Sequence, residues 1–359
     1  MNVLSLFDGM SCGQQALERA GIKVTNYYAS EIDKYAIQVT MANYPNTIQL
    51  GSVVNVDGYS LPKIDILIGG SPCQSFSFAG KRKGMSTIDE QEVLTLNHYL
   101  ELKAEGFQFE GQSYLFWEYM RLLKEVNPKY FLLENVIMGE KWEKILSKAI
   151  GVKPIMINSS RVSAQNRQRL YWTNIGLEPQ GLFGYLETII RQPKDKKILL
   201  KDVIENQVES KYYLSDKLIL WLEKHSLKRG NEFKKKTGDD KSCCLTATAQ
   251  AKTNLSTDYI ICHNMQTRSA DRPSLKNKTS SGGSGHIQKT NGKTYCLDTG
   301  QSNAVEYNGI IRKFTPIECE RLQTVKDNYT NHVSDSQRYK MLGNGWTVDV
   351  IVHILKYIK

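Results

Sequence analysis

Three features of the sequence predict an α/β protein built on a doubly wound, mostly parallel sheet. Short β-rich runs alternate with amphipathic stretches over the first 176 residues, and glycine turns follow two of the apolar runs. After Gly176 the alternation stops and a lysine- and turn-rich segment begins, which predicts a second, smaller and irregular domain.

The strands are expected at residues 2–7, 24–29, 64–68, 130–133 and 154–158, each a short apolar run. Helices are expected at 14–20, 34–43 and 114–126, where apolar residues recur every three or four positions, and at 347–358, where Val348, Ile351, Val352, Leu355 and Ile358 do the same. Residues 266–294 are so rich in Ser, Thr, Gly, Asn and Lys that they read as loop. Two similar strand entries, Lys241 to Leu245 and Lys293 to Leu297, lie 52 residues apart.

Length and composition limit the function classes. A chain of 359 residues, 40% apolar and 23% charged, can form one large domain or two lobes. No apolar run approaches the roughly 18 residues of a membrane helix. The first residues lack the basic start of a secretory signal. Seven cysteines without CxxC spacing argue against a disulfide framework and a zinc ribbon, so a reduced, cytoplasmic protein without a metal is expected. Residues 1–176 carry 18 basic and 17 acidic groups, 177–311 carry 21 and 15, and 312–359 carry 8 and 5. The excess of positive charge in the middle suits a polyanion-binding lobe, although a solvated lysine-rich surface would look the same.

Candidate chemistry falls where apolar runs end. Phe7-Asp8-Gly9-Met10-Ser11-Cys12-Gly13 follows the first strand, and Glu31 lies 18 positions beyond Gly13, where a ribose hydroxyl could be held. Cys73 follows Pro72 beyond the strand at 64–68 and is a candidate nucleophile; the alternative is a small buried thiol. Glu134 ends another strand and could exchange a proton with a bound ring, or merely cap or pair. Gln165-Asn166-Arg167-Gln168-Arg169 precedes a strand at 170–173, and alternation would place Arg167 and Arg169 on one face.

Taken in order, Phe7-Asp8-Gly9, Pro72-Cys73-Gln74, Glu134-Asn135-Val136, Gln165-x-Arg167-x-Arg169 and Gly343-Asn344-Gly345 form a series that resembles the cytosine-C5 DNA methyltransferases of bacteria and phage. Leu115-Phe116-Trp117-Glu118 before Arg121, and Arg312-Lys313-Phe314-Thr315-Pro316 leading to Glu320-Arg321-Leu322-Gln323, match further blocks. The resemblance implies a Rossmann-like catalytic and cofactor-binding domain at 1–176, a target-recognition domain at 177–311 and a segment at 312–359 that returns to complete the catalytic domain. It implies S-adenosylmethionine as cofactor, contacted by Phe7, Asp8, Gly9, Ser11, Cys12, Gly13, Glu31, Ile32, Ser52, Pro72, Asn344 and Trp346. It further implies that Cys73 attacks C6 of a cytosine flipped from duplex DNA, that Glu134 contacts N3 and the amino group, and that Arg167 and Arg169 position base and phosphate. DNA contacts fall on Gln74, Ser75, Ser77, Lys81, Arg82, Lys83, Gln165 and Thr246.

Two departures accompany it. Gly51-Ser52-Val53 has serine where the family has an aspartate for the adenine amino group, so Ser52 or Asp57 takes that contact. Cys244-Leu245-Thr246 stands in place of a threonine-leucine pair. Residues 85–111 are additional to the family's shortest members and include an expected helix at 91–103. A monomer in a bacterial cell or phage-infected host is expected, with a cognate restriction endonuclease as a conceivable partner and no membrane partner. The competing readings are a transfer RNA substrate and a catalytically silent DNA-binding module.

Overall fold

The computed structural model describes residues 1–72, 92–109, 111–181, 185–214, 260–264, 288–289, 294–295, 303–307 and 310–359. In chain order the elements are β1 (Asn2–Leu6), α1 (Cys12–Arg19), β2 (Asn26–Ser30), α2 (Lys34–Asn43), β3 (Ile48–Gln49), β4 (Ile66–Gly69), α3 (Leu96–Ala104), α4 (Leu115–Val126), β5 (Tyr130–Val136), α5 (Glu140–Ile150), β6 (Ile155–Asn158), β7 (Gln165–Asn166), β8 (Gln168–Thr173), β9 (Leu177–Gln180), β10 (Tyr185–Thr188), β11 (Ile260–Asn264), β12 (Gln288–Lys289), β13 (Thr294–Tyr295), β14 (Asn303–Tyr307), β15 (Ile310–Lys313), α6 (Pro316–Leu322), α7 (Asp335–Asn344) and α8 (Val348–Leu355). They form two compact units. The first comprises Met1–Asn158, Gln168–Pro193 and Val348–Lys359, the second Ser159–Arg167 and Lys194–Thr347.

The first unit holds a seven-stranded sheet in the order β3-β2-β1-β4-β5-β8-β6. Its β1–β2, β2–β3, β1–β4 and β4–β5 pairs are parallel, while β8 runs antiparallel to both β5 and β6. The chain steps outward from β1 through β2 to β3 and then returns to β4 on the other side. That reversal creates the switch point at which doubly wound sheets bind ligands, beyond the carboxyl ends of the strands. Ile66 to Gly69 are all buried, as expected of a strand covered on both faces.

Local chemistry sets the helix starts. Asp33 caps α2, its Oδ1 accepting the Tyr35 and Ala36 amides at 2.9 and 3.4 Å. Arg19 of α1 pairs with Asp349 of α8 at 3.1 Å, and the expected C-terminal helix packs on the first. α3, within residues 85–111, docks on α4 through a charge. Glu118, which is fully buried, accepts from Tyr99 Oη and Lys103 Nζ at 2.5 Å each and from Arg121 Nε at 2.8 Å. The Trp117 indole donates to the Val93 carbonyl at 3.2 Å.

In the second unit β11, β12, β14 and β15 form an antiparallel sheet in the order β12-β11-β14-β15, and β13 pairs with β7 in parallel. Two short strands, β12 and β13, therefore fall within or at the edge of the stretch expected to be loop. The strand entry expected at Lys241 to Leu245 lies outside the described residues. Arg312-Lys313-Phe314-Thr315-Pro316 has a structural logic of its own. Thr315 caps α6 by accepting the Glu318 amide at 3.1 Å, and Glu318 Oε2 accepts the Thr315 amide at 2.8 Å. Pro316 occupies the first turn, where its missing donor costs nothing. The Arg312 guanidinium donates to both oxygens of the same buried Glu318, at 2.8 and 2.6 Å. No helix among the described residues is long and apolar enough to cross a membrane.

Removing one partner from a buried, multiply bonded charge leaves the others desolvated. Glu118→Ala is expected to cost about 3–5 kcal/mol, and Lys103→Ala less because its side chain reaches solvent. Urea denaturation at neutral pH, comparing midpoints at constant m-value, checks both.

Candidate active site

The turn after β1 has an unusual backbone. Phe7, Gly9 and Ser11 all lie in the left-handed region, with φ of +56°, +59° and +58°. Glycine adopts this freely, but phenylalanine and serine do so only where surrounding contacts hold them. A Cβ on Gly9 would meet nothing within 4 Å, so that side of the turn is open. Gly13 serves a different purpose: a Cβ there would lie 2.5 Å from Ile68 Cδ1 and 2.7 Å from Tyr27 Oη, so a larger residue would force the ends of both side chains to shift. Cys12 opens α1 and is buried.

Asp8 is surrounded by hydroxyl donors. Ser5 Oγ reaches Oδ1 at 2.6 Å, Tyr27 Oη reaches Oδ1 at 2.7 Å, and Ser11 Oγ donates to Oδ2. Part of the residue's surface remains accessible, yet desolvation of the carboxyl group is the largest influence and pushes its pKa up to about 6, outweighing the three hydroxyls that favour the charged form; Glu31 adds a smaller upward push.

Glu31 stands at the carboxyl end of β2 with its oxygens fixed by the main chain. Oε2 accepts the Gly9 amide at 2.7 Å, and Oε1 accepts the Ile32 and Asp33 amides at 2.8 Å each. A carboxylate offers about four acceptor positions, so capacity remains for a vicinal diol. Ile32 beside it is 70% exposed and presents an apolar surface next to that carboxylate. The fixed acid, the exposed apolar side chain and the open face at Gly9 fit a nucleoside. Ser52 precedes a short 3-10 turn at Val53–Asn55 and makes no capping bond, whereas Asp57 spends its Oδ1 on the Tyr59 amide at 3.0 Å. Of the two alternatives for the adenine contact, Ser52 is the less committed.

On the other side of β1, β4 leads to Gly70, Ser71 and Pro72. Asn135 of β5, itself buried, donates through Nδ2 to the Ser71 carbonyl and hydroxyl at 3.3 and 3.1 Å, which ties the segment before Cys73 to the strand that carries Glu134. Arg169 Nε of β8 pairs with Glu134 Oε1 at 3.0 Å. Cys73, Gln74, Ser75, Ser77, Lys81, Arg82, Lys83 and Thr246 lie outside the described residues.

The second unit corrects two sequence expectations. Arg167 and Arg169 do not share a strand face, because the chain leaves β7 before Arg167 and enters β8 after it. Arg167 is buried and donates to the carbonyls of Gly343 and Gly345, at 3.2 and 2.9 Å. Gln165, expected at a DNA contact, is fully buried. Its Nε2 donates to the Leu322 carbonyl and to Gln323 Oε1, at 3.0 and 3.2 Å. Gln323 Nε2 donates in turn to the carbonyls of Leu342 and Gly345. These residues brace the backbone around Asn344, which is exposed at the end of α7, and Trp346, which is partly buried. Polar residues in a motif suggested ligands; burial redirected them to main-chain carbonyls.

Tyr27, Ser5 and Asn135 were not singled out from sequence for what they do here. The serines three residues either side of Asp8 were a legible sign, since that spacing brings short side chains together in a turn. Tyr27 gave none, because only the pairing of β2 with β1 places it beside Asp8.

An acid whose folded pKa exceeds its unfolded value binds protons more tightly when folded, so its contribution to stability is fully present below about pH 4 and is lost as pH rises through about 6. Asp8→Asn should remove this loss, at most about 3 kcal/mol, so the wild-type minus variant stability should fall between pH 4 and 7. Denaturant titrations of both proteins across that range check the sign.

Comparison with known proteins places the chain as a whole. The family model for C-5 cytosine-specific DNA methylase matches residues 1–99 and 102–359. The orphan methyltransferase M.SPRI of Bacillus phage SPR is 26% identical, with 99% of this chain and 97% of that protein aligned. The type II methyltransferase M1.ScrFI of Lactococcus lactis subsp. cremoris is 28% identical over 92% of this chain and 70% of that one. The solved Entamoeba histolytica methyltransferase EhMeth superposes with a TM-score of 0.60 at 17% identity, covering 99% of this chain and 97% of its own, which speaks for the fold alone. The turn at Phe7 to Gly13, the Glu134–Arg169 pair and the Gln165 to Gly345 brace thus sit within a family match that spans nearly the whole chain, and the chain belongs to the C-5 cytosine-specific DNA methylase family.

Proposed function

We propose that this chain transfers a methyl group from S-adenosylmethionine to C5 of a cytosine flipped out of duplex DNA, through a transient bond between Cys73 and C6. The observation that carries this reading is the tie from Asn135 to Ser71, which links the Pro72-Cys73 segment to the strand whose Glu134 is held by Arg169. A flipped ring needs a nucleophile and an acidic group close together, and the parallel pairing of β4, which leads to Pro72, with β5, which carries Glu134, supports this reading.

The cofactor supplies an electrophilic methyl group. Glu31 would hold its ribose hydroxyls, the turn at Phe7 to Gly13 would accommodate the remainder, and Ile32 would pack on the adenine, with Ser52 nearest in character to a polar contact. C5 of cytosine is a poor nucleophile until C6 carries a covalent bond. The Cys73 thiolate forms that bond, the electron pair moves into the ring towards N3, and Glu134 Oε2 meets N3 and the amino group while Arg169 fixes the other oxygen. After methyl transfer the C5 proton is lost to a base and Cys73 departs, restoring the aromatic ring. Residues 177–311, with their positive excess, would select the target sequence, and 1–176 with 312–359 would carry the chemistry.

Replacing C5–H by C5–F leaves no removable proton after methyl transfer. With 5-fluorocytosine DNA and cofactor, wild-type protein should give a complex that survives denaturing electrophoresis and Cys73→Ala none, while Cys12→Ala and Cys319→Ala should still trap. Glu134→Gln should slow trapping by about 10²- to 10⁴-fold without abolishing DNA binding. A Cys73→Ala protein that still methylates C5 would sink the mechanism. Glu31→Ala should weaken cofactor binding by about 1.5–3 kcal/mol per lost charge-assisted bond and Ser52→Ala by about 1, as read by calorimetry. Exchanging residues 177–311 for those of a relative should move the methylated site in bisulfite sequencing and leave cofactor affinity unchanged.

A further inference from the structure

The reaction above gives the Asp8 side chain no part, yet it is among the most heavily bonded groups near the carboxyl edge of the sheet. Its donors come from three places: Ser5 within β1, Tyr27 within β2, and Ser11, which immediately precedes α1. Ser11 is left-handed at φ +58°, a conformation that strains an ordinary side chain and so must be held by something. Its hydroxyl is held on both sides, donating to Asp8 and accepting from Gln14 Nε2 at 3.2 Å. Gly13 belongs to the same device, since a Cβ there would stand 2.7 Å from Tyr27 Oη and displace the hydroxyl from Asp8.

The consequence reaches Glu31. The Gly9 amide, between Asp8 and Ser11 in the turn, donates to Glu31 Oε2 at 2.7 Å, while Thr40 Oγ1 of α2 donates to the Gly9 carbonyl at 3.3 Å. Releasing the turn would move the amide that orients the Glu31 carboxylate. We propose that Asp8 is a positioning residue for the cofactor: by accepting from Ser5, Ser11 and Tyr27 together it holds the left-handed turn, and through Gly9 the Glu31 carboxylate, in the shape that the nucleoside meets. This rests on the reading that S-adenosylmethionine binds at this turn.

The ionised carboxylate holds the three hydroxyls best, since protonation removes the charge that strengthens all three bonds and occupies one of its acceptor positions. The groups facing it are Ser5 from β1, Ser11 at the head of α1, and Tyr27 and the charged Glu31 from β2. With the Asp8 pKa raised to about 6 by burial, about a tenth of the protein is competent at pH 5. The apparent Kd should then rise about tenfold relative to pH 7.5, because affinity scales with the competent fraction.

The test is calorimetric titration of the full-length protein with S-adenosylmethionine between pH 5 and 7.5. Wild-type Kd should rise about tenfold over that fall in pH, and Asp8→Asn should bind about tenfold more weakly at pH 7.5 with an affinity that no longer changes with pH. Tyr27→Phe, which removes one donor and keeps the aromatic ring, should weaken binding about threefold or more at pH 7.5 with unchanged circular dichroism, a loss in line with one neutral hydrogen bond. A pH-independent wild-type Kd, a pH dependence that persists in Asp8→Asn, or wild-type affinity in Tyr27→Phe would each overturn the positioning role. Absence of wild-type binding at every pH would instead overturn the cofactor reading on which it rests.

Discussion

A parallel sheet delivers the carboxyl ends of its strands to one edge, and in the first unit this constraint brings the candidate residues together. β1 lies between β2 and β4, with β5 beyond β4, all running the same way. The turn from Phe7 to Gly13, the Glu31 carboxylate, the segment through Pro72 and Glu134 therefore share an edge although they are drawn from the first 134 residues of the chain. Burial of these strands on both faces leaves the edge as the place where polar groups can meet a ligand.

Three buried glutamates among the described residues are each held by several donors. Glu118 accepts from three side chains on α3 and α4, and Glu318 takes both ends of the Arg312 fork. Glu320, also fully buried, accepts the Asn328 and Thr330 amides at 2.7 and 2.9 Å and pairs with Arg338 at 3.1 Å. Such groups are costly to desolvate, and they persist because donors surround them. In the second unit the same principle turns motif residues into scaffolding. Arg167, Gln165 and Gln323 spend their donors on carbonyls at 322, 342, 343 and 345, where helix ends would otherwise leave acceptors unpaired.

The residues near Asp8 show how a site and a fold share one set of interactions. Glycine at position 13 lets α1 lie against the ends of Ile68 and Tyr27 and leaves the Tyr27 hydroxyl in place on Asp8. Ser11 at the head of α1 is then both a helix terminus and part of a hydrogen-bonded turn. Packing, backbone conformation and the orientation of Glu31 are consequences of a single local arrangement.

Periodicity and punctuation in the sequence were enough to determine the α/β rhythm, because hydrophobic spacing reports local burial directly: residues 34–43 form the expected helix, and the five strands expected within the first 158 residues are present within a few residues. The order of motif residues was enough to determine the family, since those blocks survive as linear signals. Tertiary structure alone decided where polar side chains direct their bonds. Arg167 and Arg169 are two residues apart yet take different partners, because the strand breaks between them and only one reaches Glu134. Gln165 is polar in sequence and buried in the fold. Tyr27 meets Asp8 only because β1 and β2 pair in parallel, bringing residues 19 positions apart within hydrogen-bonding distance. A hydrogen bond depends on the positions of both partners, and the second position is set by packing that linear spacing does not encode.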